Sequence, residues 1–461
     1  MQRHVRRYKR GEWPYYAGIA GAVLFTAAAE LIWLPAPLET EGGMQWIEWI
    51  DYLYYALSVV PALWAAGAFL RTFKAEGAPA WLLAIRGLGA AAALSAAVFV
   101  WLFKQSPALP LGLTAAAALL LFADLTATEI AAGRPERRLP RRSLTVAAVT
   151  AALLLALAYP TGYRVTYPAM TMNMNRYAHV SGGSAHGIVD GVLVFERPAV
   201  LADWLYARML PMYRFEPIPD DEPPLSVAYS QVTAMKRDAN EVAAAIAMEK
   251  AGIGQGVVEQ GVKIVAIVKD GPADGTLRAG DVITGLDGRE IRSAADMIAY
   301  MTERVKPGQE VAVRLVRDKA ELETSVATAP SEQDPARAVF GVSVQTDVSL
   351  DVPRDIQYDT YMAHIGGPSH GAMLTLALID QLTPGGVTNG LRVAGTGTIE
   401  TDGSIGMVGG IPQKAYAVSR TAADVFFVPS AGADAAKEAA PGLNVVPVGH
   451  IDDILAWLAE R

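Results

Sequence analysis

Apolar positions are spread unevenly along the chain. Before Thr161 they gather into five long stretches, roughly Tyr15–Leu34, Tyr52–Leu70, Gly87–Phe103, Pro107–Thr128 and Leu144–Tyr159. A helix that crosses a bilayer needs about 20 predominantly apolar residues. Each stretch comes close to that length, the third and fifth being short. After Thr161 the pattern changes to alternation and helical spacing punctuated by Gly and Pro. Ile188–Phe195 reads as a strand, Ala199–Tyr213 has helical spacing, and the proline-rich turn Pro217–Pro224 breaks the chain. A long helix rich in Ala and Met follows over about Ser226–Lys250 and ends at Gly252, a suitable C-cap. Val262–Val268 and Glu310–Arg317 read as strands, Asp287-Gly288 as a hairpin turn, and Ser293–Arg304 as a helix. Beyond Ala338 two helical runs, Ala372–Leu382 and Ala415–Thr421, each follow a glycine-rich turn.

Charges at the ends of the apolar stretches suggest how they are threaded. Basic residues crowd three places: Arg3, Arg6, Arg7, Lys9 and Arg10; then Arg71, Lys74 and Arg86; then Arg134, Arg137, Arg138, Arg141 and Arg142. The alternate loops hold Glu39, Glu41, Glu48 and Asp51 in one case and only Lys104 in the other. Under the positive-inside rule this predicts a multi-pass protein of the cytoplasmic membrane with a cytoplasmic amino terminus and five crossings. Everything after Pro160 then lies outside the cytoplasm. No small-x-small cleavage site follows the first stretch, which is therefore read as an anchor rather than a signal peptide. Glu30 and Asp124 fall near span ends, where a carboxylate reaches the headgroup level; an ion path is the alternative.

Composition narrows the functional classes. The 461 residues exceed one hydrophobic core and suggest about three units. Charged residues make up 19% and apolar residues 52%, with a mean hydropathy of +0.24, which leans towards membrane. A net charge of −8 argues against nucleic acid as a partner. With no cysteine, disulfides, thiolate catalysis and cysteine-based zinc sites are excluded. The six histidines are scattered without metal-binding spacing, so neither a metal nor another cofactor is expected.

Candidate chemistry lies in two motifs, Gly366-Gly-Pro-Ser-His-Gly371 and Gly409-Gly-Ile-Pro-Gln-Lys414. A serine at a glycine-rich turn opening a helix sits where backbone N–H groups and the positive helix end converge, an arrangement able to hold an oxyanion. The serine still needs a base. A lysine serves when burial brings its pKa from about 10.4 towards 7, and Lys414 follows the uncharged stretch Ser404–Gln413 into a helix rich in Ala and Val. Three other readings stay open. Gly367-Pro-Ser-His-Gly371 also fits the G-x-S-x-G elbow of α/β-hydrolases, with Asp424 or Asp434 and then His450 in the order a Ser-His-Asp relay requires. That fold needs more than the roughly 120 residues after Ala338. The serine could occupy an ordinary turn. The chain could also be a membrane scaffold with a degenerate last domain. His364 and His370 flank Ser369 and are read as structural or cleft-lining.

Two resemblances join these features. The order Val-x-x-Gly-Pro-Ala, Leu277-Arg-Ala-Gly-Asp-Val-Ile and Asp287-Gly288 resembles PDZ domains of bacterial envelope proteases. Such a fold captures an extended peptide at a sheet edge, and Gly252, Gly254 and Gly256 are candidates for its carboxylate-binding loop. GPS-x-G followed by GGI-x-x-K resembles the proteolytic domain of Lon-type serine peptidases, and the PDZ upstream points to the ATP-independent, PDZ-containing members of Gram-positive envelopes. The resemblance runs from about Tyr163 to the end. It is strongest over Gly366–Pro429, including Val393-Ala-Gly-Thr-Gly-Thr-Ile and the strand Ala423–Pro429. It implies Ser369 as nucleophile, Lys414 as general base and Thr396 as the residue orienting the lysine, with Gly367 and Pro368 shaping the turn. His370 stands where the usual run, GPSAG, has alanine, and five spans exceed the single span expected of the family. No G-x-x-x-x-G-K-[ST] occurs, so action without nucleotide is expected. The expected architecture is multidomain: an α-helical membrane anchor over 1–160, a juxtamembrane α/β segment over 161–250, a β-rich PDZ domain over 251–330 and an α+β proteolytic domain over 338–461. Expected partners are peptides or unfolded protein segments and the lipid bilayer; a homo-oligomer is compatible with the sequence.

Overall fold

The structure, a computed structural model, describes residues 11–73, 78–104, 106–132, 139–219, 221–331, 333–361 and 367–461. The basic positions Arg3, Arg6, Arg7, Lys9, Arg10, Lys74, Arg134, Arg137 and Arg138, together with His364 and Gly366, lie outside the described residues.

The amino-terminal third is helical: α1 (Trp13–Glu30), α2 (Trp46–Ala56), α3 (Val59–Phe73), α4 (Ala80–Leu102), α5 (Ala108–Ala132) and α6 (Arg141–Ala158). Helices α2 and α3 are almost continuous. Among the described residues four helical segments are long and apolar enough to cross a membrane: Trp46–Phe73, Ala80–Leu102, Ala108–Ala131 and Arg141–Ala158. The first expected span, Tyr15–Leu34, is not one of them; its helix α1 packs on α3. Gly18 lies flat against Trp64 and Gly67 against the Tyr15 ring, where a Cβ would collide, a close approach that small residues allow. Asp124 is not an exposed carboxylate. It is buried between helices, 2.9 Å from Arg71 Nε and 2.8 Å from Arg86 Nε. Both guanidinium groups also donate to Thr128. Glu30 instead leaves the bundle and pairs with Arg197.

The segment between α1 and α2 is built into the part of the chain beyond the bundle. Trp33 and Ile47 are buried in its largest hydrophobic cluster. Gln45 donates to Asp190 at 2.9 Å and accepts from the backbone N–H of Asn173. Arg392 joins Glu39 to Asp190. Segments in contact must lie on one side of a bilayer, and the four apolar helical segments between them, an even number, are compatible with that condition.

The remaining chain continues as β1 (Pro160–Asn173), α7 (Met174–Tyr177), β2 (Ala178–Val180), β3 (Ile188–Val200), α8 (Leu201–Met209), β4 (Arg214–Pro217) and α9 (Leu225–Lys250). Next come β5 (Gly256–Ile267), β6 (Val282–Leu286), β7 (Arg289–Glu290), α10 (Ala294–Arg304), β8 (Glu310–Arg317) and β9 (Ala320–Ala327). The short strands β10 (Ala329–Pro330) and β11 (Ala338–Val339) lead to β12 (Val342–Asp351) and β13 (Ile356–Tyr358). The last elements are α11 (Gly371–Leu382), β14 (Arg392–Gly395), α12 (Ile411–Ser419), β15 (Val425–Pro429), α13 (Ala433–Ala439), β16 (Val445–Val448) and α14 (Ile451–Ala459).

Two main sheets organise these elements. One has the order β16-β15-β14-β3-β1-β4, with β3 parallel to β14 and antiparallel to β1. It corrects the expected boundaries. Residues 161–250 are not a separate juxtamembrane segment, because β1, β3 and β4 complete the sheet that carries the last domain's strands. Those three late strands alone would leave the β14 edge unpaired, and β3 covers it. The other sheet, β12-β5-β6-β8-β9, is therefore inserted between the halves of the first. Its β12 comes from residues expected in the proteolytic piece and pairs antiparallel with β5. The hairpin at Asp287-Gly288 forms as expected, with positive φ at both residues (46° and 80°). Helix α9 ends in a Schellman-type cap: Gly252, at φ +71°, donates to Glu249 O, and Ile253 donates to Met248 O.

Candidate active site

Ser369 lies in the turn that opens α11, a helix whose residues from Gly371 to Gln381 are all buried. The turn is locked from the β14 side. Gly397 N–H and the Thr396 hydroxyl both donate to the Ser369 carbonyl, at 2.9 and 3.0 Å, while Ala372 N–H donates back to Gly397 O at 3.1 Å. Gly371 has to be glycine, since a Cβ there would stand 2.9 Å from the backbone nitrogen of Ile399. Gly367 has φ +90° and Pro368 accepts from Gly371 N–H at 3.0 Å, so both shape the turn.

Lys414 comes from the first turn of α12. That helix starts behind Gly410, held at φ +70° with Pro412 in the opening turn, and Lys414 N–H donates to Gly410 O at 2.9 Å. The Lys414 side chain is 1% exposed. Among the described residues its Nζ donates one hydrogen bond, 2.8 Å to Thr396 Oγ1, and pairs with no carboxylate. Burial alone pulls its pKa down to about 7. One hydroxyl thus touches both motifs: Thr396 accepts from the lysine and donates to the carbonyl of the serine. The structure brings together Ser369, Thr396, Lys414, Gly367 and Pro368.

The other candidates are engaged elsewhere. His450 caps α14, with Nε2 on Asp402 O at 2.8 Å and Nδ1 accepting from Asp452 N–H at 3.1 Å. Asp424 accepts from Arg392 N–H at 2.7 Å. A Ser-His-Asp relay through His450 therefore does not form. Gly252, Gly254 and Gly256 form the α9 cap and the start of β5, where Gly256 pairs with Asp351 at the far end of β12. A groove of about 720 Å3 opens at the near end of β12 instead, between Phe340–Val344 and Met297, Ile298 and Met301 of α10. His370 is buried, with Nδ1 3.1 Å from Gly367 O and Nε2 2.8 Å from the Asn240 side chain. Asn240 was not a sequence candidate. Its only signal is a polar residue beside the Ala-rich stretch Ala243–Ala247 of α9, on the face that packs against α11.

Two domain families match parts of the chain. The PDZ domain family matches residues 249–328, and the Lon protease (S16) C-terminal proteolytic domain matches residues 347–460. The chain thus carries a PDZ domain and a Lon-type proteolytic domain. Relatives include a Lon protease of Aster yellows witches'-broom phytoplasma, 32% identical over 94 residues, covering 20% of this chain and 12% of that protein. A probable periplasmic serine endoprotease DegP-like of Ectopseudomonas mendocina is 36% identical over 75 residues, 16% of each chain. The chain thus spans well under two thirds of these relatives' own lengths. Among solved structures, the PDZ domain of the SdrC-like protein of Listeria innocua is 27% identical over 18% of this chain and 92% of that one, with a TM-score of 0.17. Residues 160–217 lie outside the matched regions, although the structure puts their strands in the same sheet.

Proposed function

We propose that the chain is a membrane-anchored, ATP-independent serine endopeptidase with a Ser369–Lys414 dyad, acting outside the cytoplasm on exported peptides or unfolded segments. The observation that carries this reading is the buried, carboxylate-free Lys414 joined through Thr396 to the nucleophile's turn. Above pH 7 the amine is largely neutral. With one N–H given to Thr396, its lone pair stays available to take the Ser369 proton as the hydroxyl attacks the peptide carbonyl. The protonated lysine then delivers that proton to the leaving amine, and water hydrolyses the acyl-enzyme. Backbone N–H groups around Gly367–Ser369 hold the oxyanion. In the PDZ unit, the groove between β12 and α10 suits an extended peptide added along an edge strand, which would select or gate substrates.

The test uses the full chain in detergent micelles or nanodiscs, because residues 161–461 alone would lack Trp33 and Ile47 from their core. Cleavage of unfolded casein is expected to vanish in Ser369→Ala and in Lys414→Ala. In the wild type it should rise with pH through a midpoint near 7, the deprotonation of the buried lysine. Cleavage that persists in both variants would sink the dyad.

A further inference from the structure

His370 is the buried titratable group that the dyad leaves unused. It follows the nucleophile directly and is 4% exposed. Tyr177 meets its ring edge-on, with centroids 5.8 Å apart. Lys236 of α9 and Lys414 of α12 both direct positive charge at it, and burial holds it neutral, with a pKa near 4. A neutral imidazole has one donor and one acceptor. Gly367 O can only accept, so Nδ1 carries the hydrogen and Nε2 must accept. As placed, Asn240 Oδ1 faces Nε2 at 2.8 Å and Asn240 Nδ2 donates to the Tyr177 hydroxyl at 3.1 Å; turning the amide over exchanges its O and N, so that the NH2 donates to Nε2 and the oxygen accepts from Tyr177. With the amide so turned, the bonds run one way: Tyr177 to Asn240, Asn240 to His370, His370 to the carbonyl of Gly367.

We propose that His370 is a positioning residue, whose ring ties the Gly367 carbonyl to Asn240 on α9 and so fixes the turn that presents Ser369. The inference rests on the Ser–Lys reading above. It also explains why this position is not the small alanine of the GPSAG run. The ring fills the space between the turn, α9 and Tyr177, and holds the turn from outside the sheet that fixes it on the other side. Helix α9 leads through its cap directly into β5 of the inserted sheet, so the turn is tied to the element that connects the two units.

The experiment measures kcat and KM of the full chain on unfolded casein for His370→Ala, His370→Asn, Asn240→Ala and the double variant His370→Ala/Asn240→Ala. A misplaced nucleophile lowers the rate of the chemical step, so His370→Ala is expected to reduce kcat roughly tenfold with KM little changed. The pH midpoint near 7 should stay where it is, because Lys414 is untouched. His370→Asn can place an N–H where Nδ1 stands and should recover part of the rate. Asn240→Ala should lose a similar factor, and the double variant should be no worse than the poorer single one, as expected for members of one chain of bonds. His370→Asn and Asn240→Ala keep the readout available should the alanine at 370 prevent folding. A wild-type kcat in folded His370→Ala or Asn240→Ala would overturn the proposal, as would losses that multiply in the double variant. If Ser369→Ala itself stays active, the dyad fails; if only the His370 effects are missing, the dyad stands and this inference fails.

Discussion

The residue with most bearing on the chemistry after Ser369 and Lys414 is Thr396, whose hydroxyl binds the Lys414 amine at 2.8 Å and the Ser369 carbonyl at 3.0 Å. In the proposed dyad it orients the lone pair of the base and pins the nucleophile's backbone. Thr396→Val keeps the volume and removes both bonds. The expected loss in kcat is roughly ten- to a hundredfold, with much of the rate regained in Thr396→Ser. The sign of the accompanying pH effect is fixed: an acceptor stabilises the ammonium form, so its removal moves the midpoint from about 7 to lower pH. A full-rate valine variant with an unmoved midpoint would remove Thr396 from the mechanism. The motifs of the proposed dyad were legible because two glycine-rich turns, each followed by an apolar helix, mark them in the sequence. Asn240 was not, because a polar residue on a helix declares a partner only when the facing element is known, and here that element follows 130 residues later at His370.

At the scale of elements, the segment from Leu31 to Gln45 matters beyond its place between α1 and α2. Trp33 is buried beneath Arg420, whose guanidinium lies 5.7 Å from the indole centroid and donates to Leu34 O at 2.8 Å. Arg420 caps the end of α12, the helix that carries Lys414. Trp33→Ala should cost about 3–5 kcal/mol of stability, seen as a lower Tm of the full chain in detergent, and should lower activity through the placement of α12. An unchanged Tm would mean that the segment only rests on the surface. Its run of apolar and acidic residues reads as a membrane loop, and nothing local marks it as core. The helices, the hairpin at Asp287-Gly288 and the cap at Gly252 were legible because local spacing and glycine chemistry decide them. The insertion of the PDZ sheet was not, since the pairing of β3 with β14 depends on an edge that exists only after the late strands assemble.

On the scale of the whole molecule, helices, inserted sheet and catalytic sheet form a chain in which the anchor supplies part of the catalytic unit's core. The proposed side for that unit, outside the cytoplasm, rests on the basic flanks of the apolar stretches in the sequence. The sequence has no cysteine, so Glu323→Cys, exposed on β9, gives a single thiol. In intact cells it should react with a membrane-impermeant maleimide, and protection until lysis would reverse the orientation. The central claim is that Ser369 is a nucleophile activated by a buried amine. Its most direct test is the rate at which a fluorophosphonate labels the full chain in nanodiscs as pH is varied, read by mass spectrometry of the peptide containing residue 369. The account predicts one adduct, on Ser369, forming at a rate that rises through a midpoint near pH 7 and falls to background in Lys414→Ala. An adduct elsewhere, or equal labelling with and without Lys414, would contradict it.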